Sequence, residues 1–353
     1  MNRIEKIQEK LREKGLDALV AFSETNIRYI ADFPITDGAA LVTADGAWLL
    51  TDSRYVEAAR AEAACVEVVQ FDAAKELDVW LKELLRGKTA VGAEEKRLSY
   101  DGWTRREREY GVTLVPAEGL LTQLRASKEP EEVAYIEKAQ RIAERALEEV
   151  LNFIRPGVKE REIAAELTYR MLLLGGEGNS FDPITVTGAN TSKPHGVPGD
   201  AAVQAGDFVT MDFGTLWKGY HSDMTRTVAV GYATDEMRRV YDTVLAAQRA
   251  GIAAARAGIP GRDVHAAGAS VIEAAGYGPY FGHGFGHGVG LEIHEEPRAS
   301  VKSKTLLPAA AVLTAEPGIY LPGKFGVRIE DMLLITEDGC RNLTAAPKEL
   351  LIL

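Results

Sequence analysis

Cysteine is scarce in this chain, and its scarcity excludes two kinds of site. Cys65 and Cys340 lie far apart and outside any Cys-X-X-Cys spacing, so the sequence offers neither a disulfide framework nor a thiolate metal site. A reducing, cytoplasmic compartment is the expected setting. No run of about 18 apolar residues could span a membrane, and we expect no signal peptide because the N-terminus lacks an apolar core.

Positive charge is also in short supply. The 353 residues include 41 Lys and Arg against 52 Asp and Glu, which gives a formal net charge of −11. Nucleic acids and anionic membranes are bound by clustered basic residues, so we expect neither as a partner. The glycine-rich segment of residues 282–294 contains neither a Gly-X-Gly-X-X-Gly turn nor a Gly-Lys-Ser/Thr ending, which disfavours a nucleotide site there.

The chain length and the residue pattern together predict two domains. Residues 1 to about 120 alternate helices with short apolar strands, which is typical of a compact α/β domain. Predicted strands cover residues 17–22, 39–43, 47–52, 66–71, 89–94 and 112–117. Pro130, followed by two glutamates, suits the start of a long helix. We therefore predict domains at residues 1–124 and 125–353.

A weak internal repeat lies within the second part. Residues 157–165 and 258–266 align at an offset of 101, with a later match of Gly175 to Gly276. Each copy follows a predicted helix and opens another, which suggests two similar halves with a site between them. Chance similarity between two alanine-rich helices is the alternative.

Four acidic residues interrupt apolar stretches of this second part. They lie in four predicted strands: Asp212 in residues 208–214, Asp223 in 219–230, Glu316 in 309–317 and Glu330 in 327–336. Burying unpaired like charges costs several kcal/mol unless a cation lies between them. Each one alone could be a solvated or ion-paired strand residue, with Arg226 and Arg328 as partners. A shared cation explains all four together.

A glycine-rich segment supplies the imidazoles. Residues 282–294 hold three histidines among five glycines, and all six histidines lie between His195 and His294. Glycine lets backbone and imidazole approach a ligand closely, and His287 is the natural nitrogen ligand; the alternative is a structural histidine. Four carboxylates and one imidazole suit Mn²⁺, Mg²⁺ or Co²⁺, and bridging carboxylates could hold two ions for amide or phosphoryl hydrolysis.

At these residues the sequence resembles the pita-bread metallopeptidases, the family of Xaa-Pro dipeptidase (prolidase), aminopeptidase P and methionine aminopeptidase. The resemblance implies a creatinase-like N-terminal α/β domain followed by a duplicated α+β catalytic domain. It favours the Xaa-Pro branch, since methionine aminopeptidases lack that first domain. The family's five metal ligands fall on Asp212 in MDFG, Asp223 in HSDMTRT, His287 in HGFGHGVG, Glu316 in AEPGIY and Glu330 in RIED.

The resemblance also implies roles for the side chains. Glu316 would act as general base for a metal-bridging hydroxide, His195 would close over the substrate, and His294 would polarise the scissile carbonyl. His283 would act in the substrate pocket, and Tyr320 and Arg328 are weaker substrate-binding candidates. Two divalent ions are implied, manganese first, with cobalt or zinc as alternatives.

Substrate choice within the branch depends on Arg298. A dipeptidase must bind the free carboxylate of its proline, and an arginine four residues after His294 suits that task; a solvated loop arginine is the alternative. We favour the dipeptidase over an aminopeptidase acting on longer peptides. A non-catalytic peptide-binding relative and a metal-free creatinase-like amidinohydrolase are the rivals. The family suggests a homodimer, with residues 33–38 as a loop closing the partner's pocket; a plain loop between strands is the alternative.

Overall fold

The computed structural model describes residues 2–353. Its contacts divide the chain into two compact units, one ending at Arg125 and the other formed by Ala126–Leu353. Among the described residues, no helix is both long and apolar enough to cross a membrane.

The first unit is built on a six-stranded mixed sheet in the order β4-β3-β2-β1-β5-β6. Strand β2 is antiparallel to both of its neighbours, and the other pairings are parallel. All six predicted strands are present, and no strand end differs from the prediction by more than one residue. They are β1 (Ala18–Ala21), β2 (Gly38–Thr43), β3 (Ala47–Thr51), β4 (Glu67–Gln70), β5 (Ala90–Ala93) and β6 (Thr113–Pro116). The helices are α1 (Arg3–Lys14), α2 (Glu24–Ala31), α3 (Val56–Glu62), α4 (Leu77–Leu84), α5 (Tyr100–Tyr110) and α6 (Glu118–Ala126).

Helix α1 shows how local sequence sets these bounds. The Glu5 N–H donates to the Asn2 side chain at 2.9 Å, and the Asn2 N–H donates to the Glu5 carboxylate at 2.7 Å. This reciprocal capping box satisfies donors that a helix start leaves free. Ile7 and Leu11 are one turn apart and buried, so the apolar face of this helix packs inward.

The second unit is built on two larger antiparallel sheets, one of three strands (β11-β8-β7) and one of five (β13-β12-β14-β17-β18). Its helices are α7 (Pro130–Leu151), α8 (Glu160–Leu173), α9 (Asp235–Ala254) and α10 (Gly261–Ala274). Its first strands are β7 (Ile184–Thr187), β8 (Phe208–Phe213), β9 (Leu216–Trp217), β10 (Tyr220–His221) and β11 (Met224–Ala229). The rest are β12 (Gly286–Gly288), β13 (Glu295–Ala299), β14 (Val312–Ala315), β15 (Gly318–Leu321), β16 (Phe325–Arg328), β17 (Asp331–Ile335) and β18 (Cys340–Asn342).

The internal repeat is a structural repeat. Helices α8 and α10 both contain 14 residues and start 101 positions apart. The matched glycines Gly157 and Gly258 both have positive φ, at 95° and 79°, and so do Gly175 and Gly276, at 98° and 83°. L side chains rarely adopt this conformation. The matches therefore mark equivalent turns before and after equivalent helices, which chance similarity does not explain.

The strands that carry the acidic residues are shorter than the apolar runs predict. Asp223 lies between β10 and β11, Glu316 between β14 and β15, and Glu330 between β16 and β17. Asp212 alone lies inside a strand, paired in register with Thr225. At each break, backbone groups lie outside the hydrogen-bond ladder of the sheet and can bind other partners. For example, the Glu330 N–H donates to the Thr225 carbonyl at 3.1 Å. The strand ends thus direct three carboxylates toward one place.

Candidate metal centre

One cavity of about 520 Å³ in the second unit is lined by every predicted site residue except Tyr320. These residues come from strands, strand breaks and loops of both sheets, as the predicted site between the two halves requires. They are His195, Asp212, Asp223, His283, His287, His294, Arg298, Glu316, Arg328 and Glu330.

The acidic residues and His287 converge at the centre of this cavity. Asp223, His287 and Glu330 are buried and offer ligand atoms that all lie within 4.8 Å of one another. The Nε2 atom of His287 is 3.5 Å from Asp223 Oδ2 and 3.3 Å from Glu316 Oε1. Its Nδ1 lies 3.1 Å from the Gly288 carbonyl oxygen. If Nδ1 carries the proton and donates there, the Nε2 lone pair faces the carboxylates.

Electrostatics show that the cluster is suited to cations. Burial, followed by repulsion from the neighbouring carboxylates, raises the pKa of Asp223 and of Glu330 well above the usual range. Burial is also the main cause that raises the pKa of Glu316 to about 7. Burial lowers the pKa of His287 to about 3, which keeps its imidazole neutral. When no cation is present, the raised pKa values disfavour the negative charge of the carboxylates, and the lowered pKa disfavours the positive charge of the imidazole.

One buried carboxylate oxygen at the cluster has no protein partner. Within residues 2–353, Asp212 Oδ1 accepts no hydrogen bond, although buried polar atoms are almost always paired. Its other oxygen, Oδ2, accepts from Arg328 Nη2 at 2.5 Å. An oxygen-rich set with one imidazole suits hard divalent ions, so the residues present fit a centre of two such ions.

Arg328 organises the wall behind Asp212. Besides Asp212, it donates to the Tyr320 hydroxyl at 3.0 Å, the Thr225 hydroxyl at 3.0 Å and the Pro194 carbonyl at 3.2 Å. The Tyr320 hydroxyl is in turn 2.9 Å from His283 Nε2. The guanidinium is therefore engaged with protein atoms, and Tyr320 reaches the cavity wall through Arg328 and His283.

Arg298 differs from Arg328 in having no such partners. It lies on β13, in register with His287, and lines the cavity. Among the described residues, no hydrogen bond or ion pair engages its guanidinium. Its charge still acts on the centre: after burial, Arg298 contributes to the lowered pKa of His294, and it opposes the burial that raises the pKa of Glu316. The His294 ring centroid is 4.3 Å from that of His287.

Sequence reasoning missed two threonines that orient the predicted ligands. Thr225 donates to Glu330 Oε2 at 2.7 Å. The Thr314 hydroxyl accepts from the His287 N–H at 3.0 Å and donates to Glu316 Oε1 at 3.3 Å. In the sequence, Thr225 lies two positions from Asp223 and Thr314 two positions from Glu316, so the two-residue period of the predicted strands was the available signal. Phe181, Ile184 and Ile293 also line the cavity, and no sequence signal singled them out.

Comparison with known proteins agrees with this architecture. Residues 134–337 match the family described as Metallopeptidase family M24, and residues 3–127 match the Creatinase/Prolidase N-terminal domain. Fold and donor set together define a metal-dependent hydrolase with a creatinase-like domain ahead of a pita-bread catalytic domain. The chain belongs to metallopeptidase family M24. The predicted fold class is thereby confirmed.

Several relatives match over almost the whole chain. The Xaa-Pro dipeptidase of Pyrococcus furiosus is 37% identical over 351 residues, which is 99% of each protein. An Xaa-Pro dipeptidase structure from Bacillus anthracis has a TM-score of 0.95 at 40% identity and covers 99% of both chains. The X-Pro aminopeptidase structure from Thermotoga maritima has a TM-score of 0.93 at 34% identity and covers 100% of both.

Proposed function

We propose that this chain is an Xaa-Pro dipeptidase that cleaves the bond before a C-terminal proline and uses two divalent metal ions. The observation that carries the proposal is Arg298, a guanidinium without a protein partner in the same cavity as the carboxylate cluster. A dipeptide substrate brings a free carboxylate, and a planar guanidinium can bind it through two parallel hydrogen bonds. The prolidase relatives support this assignment.

Asp212, Asp223, His287, Glu316 and Glu330 would hold the ions. When bound, the ions supply Lewis acidity and lower the pKa of the attacking water. We propose manganese first because the donors are mostly carboxylates.

The remaining side chains would position the substrate and move protons. Glu316 would accept the proton of the attacking water as general base. His294 would hydrogen-bond the scissile carbonyl oxygen as charge develops on it. His195 would cover the substrate, and His283 would hold Tyr320 through their 2.9 Å contact. A homodimer and a cytoplasmic location are further proposals, supported by the resemblance to the family.

A second candidate is an Xaa-Pro aminopeptidase that acts on longer peptides, which the similarity to the Thermotoga maritima enzyme favours. The purified, Mn²⁺-loaded chain should be offered Ala-Pro, Leu-Pro and Leu-Pro-Gly. Release of proline from the dipeptides, without cleavage of the tripeptide, is the expected result. Cleavage of the tripeptide alone would assign the aminopeptidase. If none of these peptides is cleaved with Mn²⁺, Co²⁺ or Zn²⁺, the remaining alternative is a non-catalytic peptide-binding relative.

Arg298 can be tested separately from the chemistry. Arg298→Ala should lower kcat/KM for Leu-Pro by about 10- to 150-fold, because a hydrogen-bonded charge contact contributes about 1.5–3 kcal/mol. The matched control is Leu-Pro amide, which lacks the carboxylate and should be cleaved equally by wild type and variant. An equal loss on both substrates would refute the carboxylate role.

A further inference from the structure

A buried carboxylate outside the cavity holds the segment that carries His195. Glu160 is the first residue of α8, and 1% of its surface is exposed. We call residues 188–199 the His195 loop; it follows β7 and begins with a 3₁₀ turn at Gly188–Ser192. His195 itself is exposed at the cavity.

The Glu160 carboxylate contacts the chain at both ends of the His195 loop. Its Oε1 accepts from the Thr187 N–H and from Asn190 Nδ2, each at 2.9 Å. Its Oε2 accepts from the Gly199 N–H, also at 2.9 Å. One side chain therefore connects the residue before the loop, a residue within its first turn and its last residue.

Backbone contacts of the same turn of α8 extend this attachment. The Glu160 N–H donates to the Ala201 carbonyl at 3.0 Å, and the Arg161 N–H donates to the Gly199 carbonyl at 3.2 Å. The Thr185 hydroxyl donates to the Glu160 carbonyl at 2.7 Å. On the cavity side, Arg328 donates to the Pro194 carbonyl at 3.2 Å. The His195 loop is thus held from α8 at its ends and by Arg328 next to His195.

The chemistry of this position requires an anion with two accepting oxygens. Among residues 2–353, no lysine or arginine forms an ion pair with Glu160, and burying a carboxylate is unfavourable without compensating hydrogen bonds. The three donors and the N-terminus of α8 supply that compensation. A glutamine whose oxygen accepted from Thr187 and Asn190 would turn its amide nitrogen toward the Gly199 N–H, placing two donors face to face.

We propose that Glu160 is a positioning residue that fixes both ends of the His195 loop and so sets where His195 stands over the cavity. For its effect on catalysis, this inference rests on the proposed function, in which His195 covers the substrate. Glu160 itself does not line the cavity, and its carboxylate contacts no proposed metal ligand.

The test compares Glu160→Gln with Glu162→Gln in the full-length, metal-loaded protein. Glu162 is the matched control because it lies in the same first turn, accepts only the Lys159 N–H at 2.8 Å and is exposed. Hydrogen exchange of peptides spanning residues 187–200 should be at least about fivefold faster in Glu160→Gln and unchanged in Glu162→Gln. Asn190→Ala, which removes one donor at a partly exposed site, should show a smaller acceleration and serves if Glu160→Gln fails to fold.

Kinetics then separate positioning from general stability. Glu160→Gln should lower kcat/KM for Leu-Pro about tenfold in the wild-type background but less than about twofold in His195→Ala, because coupled residues give non-additive effects. Equal losses in both backgrounds, or unchanged exchange in residues 187–200, would overturn the proposal. Absence of Xaa-Pro hydrolysis by the wild type would refute the proposed function instead, and the exchange rates would still decide whether Glu160 fixes the loop.

Discussion

Replacing Asp331 with asparagine should destabilise the second unit strongly. Asp331 directly follows Glu330 and is fully buried. It accepts from Arg226 Nη2 at 2.8 Å, from Lys348 Nζ at 2.5 Å and from Asn342 Nδ2 at 2.7 Å. Arg226 also donates to the Glu330 carbonyl at 2.6 Å, so this network supports the backbone of a proposed metal ligand.

The size of the effect follows from burial. Removing one partner of a buried, hydrogen-bonded ion pair costs about 3–5 kcal/mol, because the remaining charge is left uncompensated. In a unit of this size, that corresponds to a melting temperature lowered by about 6–20 °C. The matched control is Glu349→Gln, since Glu349 and its partner Arg249 are 71% and 57% exposed. An exposed pair contributes less than about 1 kcal/mol.

The pH dependence of the stability difference between wild type and Asp331→Asn tests whether the charge of Asp331 causes that difference. Burial alone would raise the pKa of Asp331, but Arg226 and Lys348 hold it below its usual value. A lowered pKa contributes stability that is present above the unfolded-state pKa of about 3.9 and is lost as pH falls through the folded-state value. The difference in the free energy of unfolding between wild type and Asp331→Asn should therefore have its full size at pH 7 and shrink below about pH 4.

Thermal unfolding of the metal-free proteins, followed by calorimetry in EDTA, measures both effects without the contribution of bound ions. A difference below about 1 kcal/mol at pH 7 would refute the reasoning, as would a difference that stays constant down to pH 3.

Two further predictions concern the metal centre. Gly286→Ala should lower both stability and metal affinity, because the added Cβ would lie 1.9 Å from the Thr314 carbonyl oxygen. The control is Gly282→Ala, whose added Cβ has nothing within 4 Å. This control should match wild type in thermal melts and metal titrations. The stability of metal-free wild type relative to metal-free Glu316→Gln should fall as pH rises from about 4.5 to 7, because the raised pKa of Glu316, about 7, makes the folded wild type bind a proton that the unfolded chain releases; melts of both proteins in EDTA at pH 5 and 7.5 check the sign, and a relative gain for wild type at pH 7.5 would contradict it.

Much of the first unit follows from its sequence because its strands are short apolar runs between clear turn signals. Residues 47–52, for example, predict a strand that the structure shows at Ala47–Thr51. Such elements bury both faces of a sheet, so the apolar run itself marks the strand.

The second unit is predicted less well where strands break. Residues 327–336 read as one continuous strand, yet the structure ends β16 at Arg328 and starts β17 at Asp331. The break depends on the Thr225 carbonyl, which accepts the Glu330 N–H and lies about 100 residues away in the chain. Local propensity cannot anticipate such a contact.

The same reason explains Glu160. In the sequence it is one of several glutamates at the start of a helix, and nothing local distinguishes it from Glu162. Its function in the fold depends on donors at Thr187, Asn190 and Gly199, which only the tertiary structure brings together. The predicted domain boundary and the roles of the individual site residues stay predictions.

The most direct test of the central claim is proline release from Leu-Pro, measured against the number of Mn²⁺ ions bound per chain. We expect no release from metal-free protein, activity that rises until two ions are bound, and loss of both binding and activity in Asp223→Ala. Full hydrolysis by metal-stripped protein, or by Asp223→Ala, would contradict the two-metal mechanism.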